Sequence, residues 1–185
     1  MQRSSEEGDD VAEEFGRDQA ILVGPDGTEI GVVDKLDAHQ PPGQLHLAFS
    51  VFLFATDGSL LIQRRAATKY HFPLVWANSC CSHPQPGEDV ITSAELRVKE
   101  ELGLTCELDA AGNFTYRASC STSGLVEHEF DWVLVGRITG SILPDPSEVA
   151  EWRLLPPTSF ASAAEDPAFA PWFGPALEIA LGAMA

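Results

Sequence analysis

The feature that most constrains this chain is the run His46–Phe54, HLAFSVFLF, which is apolar at nearly every position. A half-exposed strand alternates apolar with polar residues. A near-continuous run of this kind reads instead as a strand buried inside a sheet. Asp57-Gly58 follows as a hairpin signal, and Leu60 to Arg64 reads as the return strand. The clearest helix is Asp89 to Leu102, where Val90, Ala94, Val98 and Leu102 recur every four residues as one apolar stripe. Gly103 ends it, at a position that wants a left-handed residue. Further strands are expected at 20–23, 30–33, 104–108, 114–118, 126–138 and 149–154, with a closing helix near 175–183. His39 falls at a Pro/Gly-containing loop, residues 65–76 read as a loop, and NSCCSHP (78–84) continues without helical period. Strands, a helix, strands and a helix, in that order, predict an α/β fold built on a mixed sheet with helices on its faces. One folded unit is expected over residues 19–185, after an acidic segment, 1–18, that reads as a disordered tail.

Charge narrows the partners. The 185 residues carry 28 Asp and Glu against 11 Lys and Arg, a formal net charge of −17. Such a field repels nucleic acid and anionic membranes, so neither is an expected partner. No apolar run approaches the ~18 residues of a membrane helix. The acidic N-terminus is unlike a secretory signal, so a cytoplasmic protein, read as a monomer, is expected. Cations are scarce enough to be informative, and Arg64, Arg65 and Lys69 fall close together. Cys80, Cys81, Cys106 and Cys120 form no CxxC pair and read as free thiols.

Glu127-His128-Glu129 sits in an expected strand, where alternate residues share a face. Glu127 and Glu129 then point one way, and His128 the other with Phe130 and Trp132. Paired carboxylates repel each other unless a cation lies between them; the plainer alternative is a solvated acidic face. His39, His46 and His83 each read singly as structural. Joined with Glu127 and Glu129, they would make a ligand set suited to Mg²⁺, Mn²⁺ or Zn²⁺. They are spread from residue 39 to residue 129, so spacing alone does not unite them. Cys81, two residues before His83, could act as nucleophile, acid or base, whereas Cys80 reads as a small buried residue.

The ordered strings LHLAFS (45–50), RRA (64–66) with Lys69, WANSCCSHP (76–84), EELG (100–103), YRA (116–118) and EHEFDWVL (127–134) resemble the type I isopentenyl-diphosphate Δ-isomerase family. The resemblance runs from about residue 20 to residue 172. It implies a Nudix-like α/β/α sandwich and a double-bond shift without flavin. It implies a prenyl diphosphate as the small-molecule substrate. It also implies Cys81 and Glu129 as proton-transfer groups, with Tyr116 bonded to the glutamate and Trp172 facing the cation. By the same resemblance His39, His46, His83, Glu127 and Glu129 hold a metal, and Lys35, Arg65, Lys69, Arg97 and Ser82 bind the diphosphate. Glu101, with the Cys81 carbonyl, would hold a second ion, Mg²⁺, near that diphosphate. The helix end also resembles the EExG end of the Nudix box, but Ser93, Leu96 and Arg97 replace a full box's Glu, Arg and Glu. That departure counts against the rival reading, hydrolysis of a nucleoside diphosphate. A further rival, a non-catalytic binder, would be expected to lack Cys81 or Glu129. Trp76, Trp132 and Trp152 are expected in the core.

Overall fold

The computed structural model describes residues 18–184. Of the acidic segment 1–18 only Asp18 is among them, and the rest of that expectation lies outside the described residues. In chain order the elements are β1 (Gln19–Val23), β2 (Glu29–Asp34), α1 (Lys35–His39), β3 (His46–Phe54), β4 (Leu60–Arg65), β5 (Trp76–Ala77), β6 (Cys80–Ser82), α2 (Val90–Leu102), β7 (Leu108–Ser119), β8 (Val126–Arg137), β9 (Val149–Leu155), a short 3-10 turn, α3 (Phe160–Glu165) and α4 (Phe173–Met184). The described strands join one mixed sheet. β3 runs parallel to β8 and antiparallel to β1, β4 and β6.

β3 is buried at every position because helices cover both its faces. Phe49, Val51 and Leu53 pack with Ala94, Val98 and Leu102 of α2. Phe52 and Phe54, on the opposite face, pack with Phe173, Ala176, Leu177 and Ala180 of α4. These two layers of cover make the α/β/α arrangement. α2 starts at Asp89, whose carboxylate accepts the Thr92 N–H at 3.0 Å. It stops at Gly103 with φ 67°, where a Cβ would stand 2.9 Å from the Leu143 carbonyl oxygen. Only glycine meets both demands.

Several expectations change. Of the strand expected at 104–108 only Leu108 is in a strand; it opens β7, which runs on through the expected 114–118 with a register shift between Ala110 and Gly112. Gly112 does not turn the chain; it lets α4 approach, and a Cβ there would lie 3.0 Å from Ile179. His39 ends a one-turn helix rather than lying in a loop, because Asp34 caps α1 through the Leu36 and Asp37 N–H groups. Cys80–Ser82 is a strand pairing with β3. Trp152 is exposed on β9 rather than in the core, and Trp76 is half-buried beneath the Arg153 guanidinium, 4.2 Å away. No described helix is long and apolar enough to cross a membrane.

Candidate active site

Strand alternation builds the site. Along β8, Glu127, Glu129 and Asp131 share a face with Val133 and Val135, which belong to the core beneath α4. The acidic row therefore continues the core face, and all three carboxylates are buried. The parallel register sets His46, first residue of β3, beside Glu129. The same alternation separates the neighbouring cysteines on β6. Cys80 enters the α2-side core, while Cys81 opposes Ser50 and borders a cleft of about 530 Å³.

His39, His46, His83, Glu127 and Glu129 bring their ligand atoms within 4.8 Å of one another, all buried. This is the set the sequence reading named. His39 Nδ1 lies 2.6 Å from the Lys35 carbonyl oxygen, and His46 Nδ1 lies 2.8 Å from that of Gln44. With those nitrogens turned to carbonyl oxygens, both Nε2 atoms face inward, where a bound cation would meet their lone pairs. His46 Nε2 stands 3.1 Å from His83 Nε2, and His83 Nε2 stands 2.9 Å from Glu129 Oε1. Inward-facing imidazoles and two buried carboxylates fit a divalent cation, and the group can hold one. Burial opposes ionisation of Glu127, but His71 and His39 hold it well below the ordinary carboxylate range. Burial, and then the charge of Glu127, raise Glu129. Burial, and then Lys35, keep His83 neutral.

Around Glu129 stand the other expected groups. The Tyr116 hydroxyl donates to Glu129 Oε2 at 2.6 Å, and burial, followed by the charge of Glu129, keeps that phenol protonated. Arg65 Nη1 donates to Cys81 Sγ at 3.4 Å. Burial nonetheless pushes the Cys81 thiol up to about 12, so it carries its proton at neutral pH. The Trp172 ring borders the same cleft, 5.9 Å from the Tyr116 ring. Its Nε1–H donates to Asn78 Oδ1 at 3.1 Å.

Lys35, Arg65, Lys69, Ser82 and Arg97 all border the cleft. Burial, and then Lys69, lower the Lys35 ammonium, as crowded cations do where an anion is wanted. Lys69 is ion-paired with Glu148, which also meets Arg97 at 3.2 Å. Glu101 does not border the cleft. Its Oε1 accepts from Arg97 at 2.5 Å and its Oε2 from Gln63 at 3.1 Å. An ion bound by Glu101 would have to displace Arg97. Asp18, counted with the acidic tail, borders the cleft, and its carbonyl accepts the Lys35 N–H. Sequence reasoning missed His71, Asn78 and Glu148. Asn78 lay within a motif that was singled out, but His71 and Glu148 carried no pattern at all.

The NUDIX domain family model matches residues 44–173. A Deinococcus radiodurans crystal structure covers 88% of this chain and 98% of its own, with TM-score 0.69 and 19% identity. A MutT protein from Methanosarcina mazei covers 72% and 91%, with TM-score 0.60 and 16% identity. Fold and site together define a protein of the NUDIX class. Within that class, a Nocardia farcinica protein named isopentenyl-diphosphate Delta-isomerase is 48% identical over 161 residues, spanning 86% of this chain and 92% of its own length. A Halorhodospira halophila protein of the same name is 43% identical over 159 residues, spanning 84% and 91%. This chain belongs to the isopentenyl-diphosphate Delta-isomerase family.

Proposed function

We propose that this chain interconverts isopentenyl diphosphate and dimethylallyl diphosphate, adding a proton at C4 of the alkene and removing one from C2 through a tertiary cation at C3. The supporting observation is the environment of Glu129: one oxygen faces His83, the other accepts from Tyr116, and the protonated Cys81 thiol borders the same cleft. An unactivated alkene is a very weak base, so a well-placed acid and exclusion of water are required. Cys81 and Glu129 supply the acid and the base on opposite faces of the substrate, in either order. Tyr116 orients the Glu129 carboxyl and can pass its proton. The face of Trp172 stabilises the cation through its quadrupole without trapping it. Lys35, Arg65, Lys69, Arg97 and Ser82 bind the diphosphate against the acidic field of the rest of the chain.

A divalent ion, Mg²⁺, Mn²⁺ or Zn²⁺, held by His39, His46, His83, Glu127 and Glu129, would let the two carboxylates coexist and fix the position of Glu129. The diphosphate is read as binding with Mg²⁺, for which Glu101 would exchange its Arg97 partner. The α2 positions where a hydrolase of this class would place further carboxylates hold the buried Ser93 and the half-buried Arg97. Incubation with isopentenyl diphosphate and Mg²⁺ should yield dimethylallyl diphosphate and no free phosphate. Cys81→Ala and Glu129→Gln should each abolish turnover in a folded protein, and Cys80→Ala should be tolerated. Near-normal turnover by either of the first two variants would sink the assigned chemistry.

A further inference from the structure

His71 lies in the connection between β4 and β5, and it is 7% exposed. Its Nε2 stands 2.8 Å from Glu127 Oε1, while His39 Nε2 takes the other oxygen at 2.9 Å. A carboxylate oxygen only accepts, so His71 Nε2 is read as the donor to Oε1, with Arg65 Nη2 3.5 Å from the same nitrogen. The connection reaches Glu127 by an unfavourable route. Phe72 has φ 46° and Leu74 has φ 60°, left-handed values that disfavour side chains larger than glycine's. Such conformations persist only where the surroundings over-determine them, and here they do. Arg65 donates to the His71 carbonyl at 3.2 Å and to the Phe72 carbonyl at 3.1 Å. The Phe72 N–H points at Cys120 Sγ, 3.2 Å away, and its ring meets Trp172 edge-on at 5.4 Å. The strained turn therefore fixes one imidazole against one carboxylate oxygen.

We infer that His71 is a positioning residue for the metal site: it donates to Glu127 Oε1 and thereby fixes the rotation that turns Oε2 toward the other imidazoles. The inference rests on the proposed reading of the five-residue group as a metal site. His71 is outside that group, and its role is to hold a ligand rather than to be one. Partners that hold a ligand's free atom typically set metal affinity by about 10- to 100-fold.

The test strips the full-length protein with a chelator and titrates it with Mn²⁺ alone, following heat or bound-ion signal, with folding checked by circular dichroism. Three variants accompany the parent chain. His39→Ala reports on the site, His71→Ala removes the donor, and His71→Gln restores an N–H within reach of Oε1. The expected order is loss of binding in His39→Ala, an affinity about 10- to 100-fold weaker in His71→Ala, and recovery of most of it in His71→Gln. Parent-like affinity in His71→Ala beside lost binding in His39→Ala overturns the inference and leaves the metal site standing. Equal losses in His71→Ala and His71→Gln also overturn it, because the imidazole would then act by packing rather than by donation. If the parent chain and His39→Ala bind Mn²⁺ alike, the metal reading itself fails and takes the inference with it.

Discussion

Replacing Asn78 by alanine should destabilise this protein severely, and the structure fixes how much. Asn78 is fully buried and uses its whole amide. Nδ2 donates to the Cys80 carbonyl at 2.7 Å and to the Val51 carbonyl at 3.2 Å, and Oδ1 accepts the Trp172 indole N–H. In Asn78→Ala the Val51 carbonyl keeps the Ser79 N–H as a partner, but the indole N–H loses the acceptor it has here. Orphaning a buried donor costs about 1–3 kcal/mol. Losing the bond to the Cys80 carbonyl and leaving an amide-sized hole bring the total to about 3–5 kcal/mol. For a chain of this size each kcal/mol lowers the melting temperature by about 2–4 °C, so the drop should be about 6–20 °C. Asn78→Asp should be worse near neutral pH, because it keeps the acceptor but turns a carboxylate oxygen on two carbonyls. Urea denaturation of all three proteins, compared at equal m-value, measures this directly. A loss under about 1 kcal/mol in Asn78→Ala would refute the hub role.

Gly103→Ala should cost about 1–2 kcal/mol for its left-handed backbone, and more for the push against the Leu143 carbonyl; thermal melting checks it. Removing metal with a chelator should lower the melting temperature. Restoring Mn²⁺ to a hundred times its dissociation constant should return about 2.7 kcal/mol, and an unchanged melt would count against a bound ion. Asp131 supplies a pH test in the chelated protein. Burial, and then the Glu129 charge, raise its carboxyl well above the ordinary 3.8. The folded state therefore keeps this proton longer than the unfolded chain does. Its stabilising contribution is complete below 3.8 and is lost as pH rises toward the folded value. Asp131→Asn has no such loss, so its advantage over the parent should grow from pH 4 upward in denaturant titrations. A pH-independent difference would refute the argument.

What the sequence discloses follows from how far each signal reaches along the chain. The apolar run of β3 and the α2 stripe closed by Gly103 are local patterns with one physical solution, and both appear as expected. The shared face of Glu127 and Glu129 follows from strand period, but their burial does not, since it depends on Val133 and α4. β6 is three residues long, too short for a period to declare itself. Gly112-Asn113 carries a turn's composition inside an unbroken strand, because the glycine serves the approach of α4. His71 and Glu148 reach the site through a left-handed turn and an ion pair across the cleft, and neither leaves a trace in neighbouring residues.

The tandem cysteines of β6 carry a consequence for folding errors. A slip of one residue in this short strand could set Cys80 where Cys81 belongs, and the cleft would still hold a thiol. Two identical side chains in succession make thiol content blind to that frame. His83 has no such duplicate, since Ser82 and Pro84 flank it. A misregistered molecule would thus offer a thiol but not the third imidazole. Metal held at the proposed site would then serve as a checksum on strand register, and the fraction of molecules that retain it would count those correctly threaded.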